Sequence, residues 1–143
     1  MPAADYSFSI EKGTSFFISF DYKDDTGISI NLTNWCARLR WIDNNNEIKT
    51  FNTNTTNSEY QFTIDPLIGR IILKFPATTT AAFTFSTASY DLELQEPNDL
   101  YNGGGKRVFR ILQGNINLVT RNVTGDDAFV CDTDQQDPCN NCP

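Results

Sequence analysis

The chain has 143 residues, 39% apolar and 20% charged, with eleven Phe, five Tyr and two Trp; that is enough to bury one core without crosslinks, in a composition suited to pleated, half-buried surfaces. Its net charge of −7 is uneven, because residues 1–122 sum to −2 while residues 123–143, with five Asp and no base, supply −5. An acidic chain with no basic stripe is repelled by phosphates, which argues against nucleic acid and anionic membranes as partners, and with no His every triad or metal centre that needs imidazole is excluded.

No apolar run approaches eighteen residues, and Met1-Pro-Ala-Ala-Asp-Tyr6 leads straight into an alternating segment, so neither a membrane span nor a secretory signal is expected. Without a signal, the N-x-Ser/Thr sequons at Asn31, Asn54 and Asn122 carry no weight in an Asn- and Thr-rich chain.

In chain order, Tyr6, Phe8 and Ile10 alternate with polar residues, as do Phe16, Ile18, Phe20 and Tyr22, with Phe17 breaking the rule. This period of two predicts strands with one buried face. Lys23-Asp-Asp-Thr-Gly27 is a turn cluster, after which Ile28, Ile30 and Leu32 predict another strand. Trp35, Ala37, Leu39 and Trp41 form the next inward face, with Arg38 and Arg40 outward. Asp43-Asn-Asn-Asn46 then predicts a hairpin turn because Asn tolerates positive φ.

A weaker strand over Glu47 to Phe51 and a polar loop lead to Tyr60, Phe62 and Ile64, which face inward. Pro66-Leu-Ile-Gly69 turns the chain into Arg70 to Phe75. The segment Pro76-Ala-Thr-Thr-Thr-Ala-Ala-Phe83 is the one candidate helix, held to a single turn by its three Thr. Tyr90, Leu92 and Leu94 face inward, Glu96 to Lys106 reads as a long turn-rich connection, and the run to Arg121 follows. There Phe109 and Ile111 fall on one parity and Ile116 and Leu118 on the other, which predicts a β-bulge at Gln113-Gly114. Seven to nine strands at this spacing predict an all-β fold, an antiparallel Ig-like β-sandwich over residues 1–122. Residues 123–143 lack alternation and read as an irregular acidic Cys-containing tail, ordered only against its own domain or a partner.

Candidate chemistry is sparse. Asp91 and Glu93 share an outward strand face, where carboxylates are solvated and nothing adjacent splits their pKa values, so no catalytic residue and no enzyme is expected. Gly103-Gly-Gly-Lys106 lacks the Ser or Thr and the helix that a phosphate loop needs, and reads as a hairpin tip. Cys36 stands on outward strand parity, while Cys131, Cys139 and Cys142 crowd the tail. Cys139-Asn-Asn-Cys142 has zinc-knuckle spacing and with Cys131 would need a fourth ligand; disulfides and free thiols are the alternatives. Asp132, Asp134 and Asp137 lack the Gly and Glu of a calcium loop. No cofactor is implied.

The pieces fall in a recognisable order: Phe8-Ser-Ile-Glu-Lys-Gly13 with Phe16-Phe-Ile-Ser-Phe20, then Ile30-Asn-Leu-Thr33 into Trp35-Cys-Ala-Arg-Leu-Arg40. Gly69-Arg-Ile-Ile-Leu73, Thr79-Thr-Ala-Ala82, Tyr90-Asp-Leu-Glu-Leu94 and Arg110-Ile-Leu-Gln-Gly114 with Asn117 to Arg121 complete it. Over residues 6–121 this set resembles a β-sandwich module of tailed bacteriophages related to the N-terminal domain of baseplate upper proteins. The resemblance implies a virion structural protein assembled in the host cytoplasm, a tail or baseplate adaptor docking other virion proteins in multiple symmetric copies. It carries over no catalytic residue. Fibre anchors of that kind continue into coiled coils or further domains, whereas this sequence ends twenty-two residues after the sandwich, which leaves room for a capsid decoration protein. A carbohydrate-binding module is the alternative of another class; the inward parity of Trp35 and Trp41 speaks against it.

Overall fold

The computed structural model describes residues 3–55, 57–99, 103 and 105–120. The division at residue 122 and the tail thiols Cys131, Cys139 and Cys142, with Asp132, Asp134 and Asp137, lie outside the described residues. Within them the chain is all-β and forms two sheets. The strands are β1 (Ala4–Asp5), β2 (Phe8–Glu11), β3 (Phe16–Asp21), β4 (Cys36–Asp43), β5 (Ile48–Asn52), β6 (Gln61–Asp65), β7 (Arg70–Phe75), β8 (Thr87–Asp99) and β9 (Lys106–Val119). One sheet runs β1-β9-β8-β4-β5, with β2 also on β9; the other runs β3-β7-β6.

The pairings are antiparallel except at the N-terminus, where β1 and β2 run parallel to β9 in one register, Ala4 opposite Leu112 and Phe8 opposite Ile116. Alternation explains which face each strand buries. Ala37, Leu39 and Trp41 of β4 face Leu94, Leu92 and Tyr90 of β8 across the ladder, and all six are buried. Trp41 meets Phe51 at 4.8 Å, Phe85 at 5.4 Å, Phe83 at 5.5 Å and Phe75 of the opposite sheet at 6.1 Å. Each such ring contributes on the order of 1.5–3 kcal/mol by leaving water, so this cluster clamps the two sheets together.

The β4–β5 hairpin forms as its Asn-rich turn predicts. Asn46 takes a φ of 63°, and the Asp43 carboxylate accepts the Asn45 and Glu47 amides at 2.8 and 3.0 Å. A 3-10 turn over Pro66–Ile68 joins β6 to β7, ending at Gly69 with φ 63°. There a Cβ would stand 2.6 Å from the Ile30 carbonyl oxygen, so only glycine fits both the dihedral and the space. The predicted helical turn is α1 (Ala77–Ala81). Thr80 is its anchor: completely buried, its hydroxyl accepts the Gly13 amide at 3.0 Å and donates to the Thr14 carbonyl at 2.7 Å.

Several local expectations are corrected. No strand forms over Ile28 to Leu32; Ile30 and Leu32 donate single main-chain bonds to Tyr22 and Pro66, and Ile28 is exposed. The stretch after Gln95 is strand rather than turn, since β8 continues to Asp99, opposite Lys106. The bulge exists but sits at Ile111: Leu92 faces Leu112 and Glu93 faces Arg110, so Ile111 is the extra residue. Gly114 serves a different purpose, because Tyr6 and Ser7 lie so close over it that a Cβ would meet the Tyr6 carbonyl oxygen at 2.2 Å.

Candidate functional site

The two sheets diverge at the end where β1 begins and β3 ends. Phe8 stacks on Phe16 at 5.5 Å, which closes the middle of that side. Further out, Tyr6 meets Phe20 edge-on at 6.0 Å, and beyond them a cleft of about 610 Å³ opens. Tyr6, Phe20, Tyr22, Phe109, Ile111 and Leu112 supply its apolar walls, with Asp5, Asp21, Lys23 and Arg110 at its rim. Tyr6 is 49% exposed, a departure from its predicted inward position. It lies between β1 and β2, where its amide bonds to the Gln113 carbonyl at 2.8 Å and its own carbonyl accepts the Tyr90 phenol.

The charged rim is ordered by pairing. Arg70 donates to both oxygens of Asp21 at 2.8 and 3.2 Å, which holds the Asp21 carboxyl below its ordinary value and raises Arg70. In the neighbouring turn, the Thr26 hydroxyl and the Ile28 and Thr26 amides all donate to Asp24, lowering it likewise. Tyr90, buried beneath the crossing, has its phenol pushed up to about 12, chiefly by burial.

Asp91 and Glu93 lie on the outer face, as their parity predicts, and each meets a different arginine: Glu93 accepts from Arg38 at 2.6 Å and Asp91 lies 3.6 Å from Arg110. The structure therefore does not bring the two together as a pair. Cys36 occupies the outward position expected of it, half-buried, with the Asn54 side-chain amide 3.0 Å from its sulfur. Among the described residues no three His, Cys, Asp or Glu side chains converge as a metal set.

Of the two tryptophans, Trp41 is core. Trp35 is only half-buried and stacks on Phe109 at 6.4 Å, with the Arg107 guanidinium 4.9 Å above the Phe109 ring. Phe109 and Ile111 of β9 line the cleft across from Phe20 and Tyr22. No family model matches the chain, and no curated protein matches it.

Proposed function

We propose that this chain is a structural protein of a tailed-phage virion, an adaptor of the tail or baseplate that docks neighbouring components through exposed strand edges and the aromatic cleft. In this reading the sandwich is Ig-like, with β3-β7-β6 packed on β5-β4-β8-β9 and the N-terminal strand laid along the last one. The observation that carries it is the end where the Lys106–Ile111 edge of β9, which no described residue pairs with, borders an apolar cleft, the combination that strand addition uses. Of the segments that carry the resemblance, Arg110 to Gly114 borders this end, where Gly114 admits the Tyr6 crossing.

Quantitative peptide mass spectrometry of purified particles tests the reading. The chain is expected at a fixed multiple of a symmetric ring's copy number. Absence from particles purified to constant composition would overturn it. A decoration role on the capsid would appear as a copy number matching capsomers.

The half-buried Trp35 and the aromatic cleft favour one second reading, a carbohydrate-binding module. Titration with oligosaccharides distinguishes it, through a saturable change in Trp35 emission.

A further inference from the structure

Strand β3 ends its sheet, bonded to β7 on one side. Tyr22 donates its amide to the Gly69 carbonyl at 2.8 Å, one step beyond the pair Asp21–Arg70 in the same register. Main-chain bonds alternate along an antiparallel strand. Phe16, Ile18 and Phe20 therefore turn their amides and carbonyls to β7, while Phe17, Ser19 and Asp21 turn theirs to the other side, where they meet no described partner. On the inner face Phe16, Ile18 and Phe20 are half-buried, although Phe75, Leu73 and Ile71 opposite them are fully buried. The polar edge of β3 is thus open and its apolar flank only half covered.

Natural sheets protect such edges with Lys, Pro or a bulge. Strand β3 has none of these: its register with β7 is regular, and its one charge is Asp21, at its end. The open stretch of β9, by contrast, carries Lys106, Arg107 and Arg110, which would repel the same stretch of a second copy. We infer that β3 pairs antiparallel with β3 of a second copy about a two-fold axis at Ser19, joining β6-β7-β3 of each copy into one continuous sheet.

In this register Phe17 meets Asp21 of the second copy and Ser19 meets Ser19, so every open main-chain donor and acceptor of these residues finds its counterpart. On the outer face, Phe17 lies beside Lys74 and Asp21 beside Arg70. The row across the joined sheet therefore reads Lys74, Phe17, then Asp21 and Arg70 of the second copy. The Lys74 ammonium already extends 5.5 Å over the Phe17 ring, toward the edge where the incoming carboxylate is placed. Opposite charges across neighbouring strands favour pairing, and no like charges stand directly opposite one another. On the inner face Phe16 comes opposite Tyr22 and Ile18 opposite Phe20 of the second copy. These are aromatic and β-branched pairs of the kind that stabilise sheets, and they cover the flank that one copy leaves half-buried. The inference goes beyond the adaptor role and does not depend on it.

Sedimentation velocity of the full chain in reductant, across concentration, tests it. A concentration-dependent equilibrium between monomer and dimer is expected. Ser19→Lys sets two ammonium groups against each other at the axis and is expected to weaken association about tenfold or more. Ser19→Pro removes a main-chain donor that faces no partner within the copy, and weakens association in parallel. Circular dichroism and thermal unfolding check that both variants keep the parent's fold. Ser19→Cys reads the register: Cα atoms of a bonded antiparallel pair lie about 5.5 Å apart, within disulfide reach. Mild oxidation of that variant is expected to give a covalent dimer whose digest holds position 19 of one copy linked to position 19 of the other. A chain monomeric at all concentrations, association that Ser19→Lys leaves unchanged, or oxidation that never forms this link would each overturn the inference. A monomeric chain still found in purified particles would overturn it while leaving the proposed function standing; a dimer of this register in a chain absent from particles would do the reverse.

Discussion

Gly114 lies directly beneath the main chain of Tyr6, so close that a Cβ at Gly114 would stand 2.2 Å from the Tyr6 carbonyl oxygen and 2.7 Å from its carbon. Both obstacles are backbone, which cannot swing aside as a side chain can. Gly114→Ala is therefore expected to lift the Tyr6–Ser7 crossing off β9 and to cost on the order of 1–3 kcal/mol. Denaturant unfolding measures the loss, and amide exchange should place it in β1 and β2. Unchanged protection of those amides would contradict the expectation.

Thr80→Val keeps the shape of a fully buried side chain but removes its hydroxyl. It leaves the Gly13 amide without its acceptor and the Thr14 carbonyl without its donor. An unsatisfied buried polar group costs about 1–3 kcal/mol, so Val is expected to be clearly destabilising and Ser milder, because Ser retains both bonds. Thermal unfolding of the two variants checks the order.

The Tyr90 phenol makes stability fall in alkali. Its folded value is about 12 against an ordinary 10.0, so the contribution is complete below pH 10, where both states are protonated. It is lost between pH 10 and 12, where only the unfolded chain releases the proton. Tyr90→Phe gives up one hydrogen bond, about 0.5–1.5 kcal/mol at neutral pH, and its stability should decline less over that alkaline window. Parallel pH profiles would contradict the assignment.

Asp21 acts at the other end of the scale. Its folded value lies below the ordinary 3.8 because Arg70 binds its carboxylate. That contribution is present above pH 3.8 and disappears as pH falls through the lowered folded value. Asp21→Asn should be less stable than the parent at pH 7, with the gap closing below pH 4. Salt should narrow it too, since both partners are partly exposed.

The strands were legible in the sequence wherever one face meets a core on a regular ladder: the inward sets of β4, β7 and β8 match the buried residues. Local alternation says nothing of what lies opposite a strand. Ile28, Ile30 and Leu32 alternate as a strand would, yet they make only isolated main-chain bonds rather than a ladder, and of the three only Leu32 is fully buried. Phe83 and Phe85 follow α1 outside any strand but pack on Trp41, because a loop between sheets is placed by the sandwich and not by its own period. Phe17 breaks the pattern of β3 because it lies on the exposed outer face, with the Lys74 ammonium 5.5 Å over its ring. The cleft escaped the sequence for the same reason as Ile28. Phe109 and Ile111 have inward parity, yet with Phe20 and Tyr22 they line a cleft, because what a strand face meets depends on tertiary geometry that periodicity does not record.

The proposed adaptor role is tested most directly by imaging purified phage particles carrying an epitope-tagged copy of this chain, labelled with gold-conjugated antibody. The account predicts label confined to the tail end, at the baseplate or where fibres attach. Particles that incorporate no label, while the tagged chain remains folded in the lysate, would contradict it.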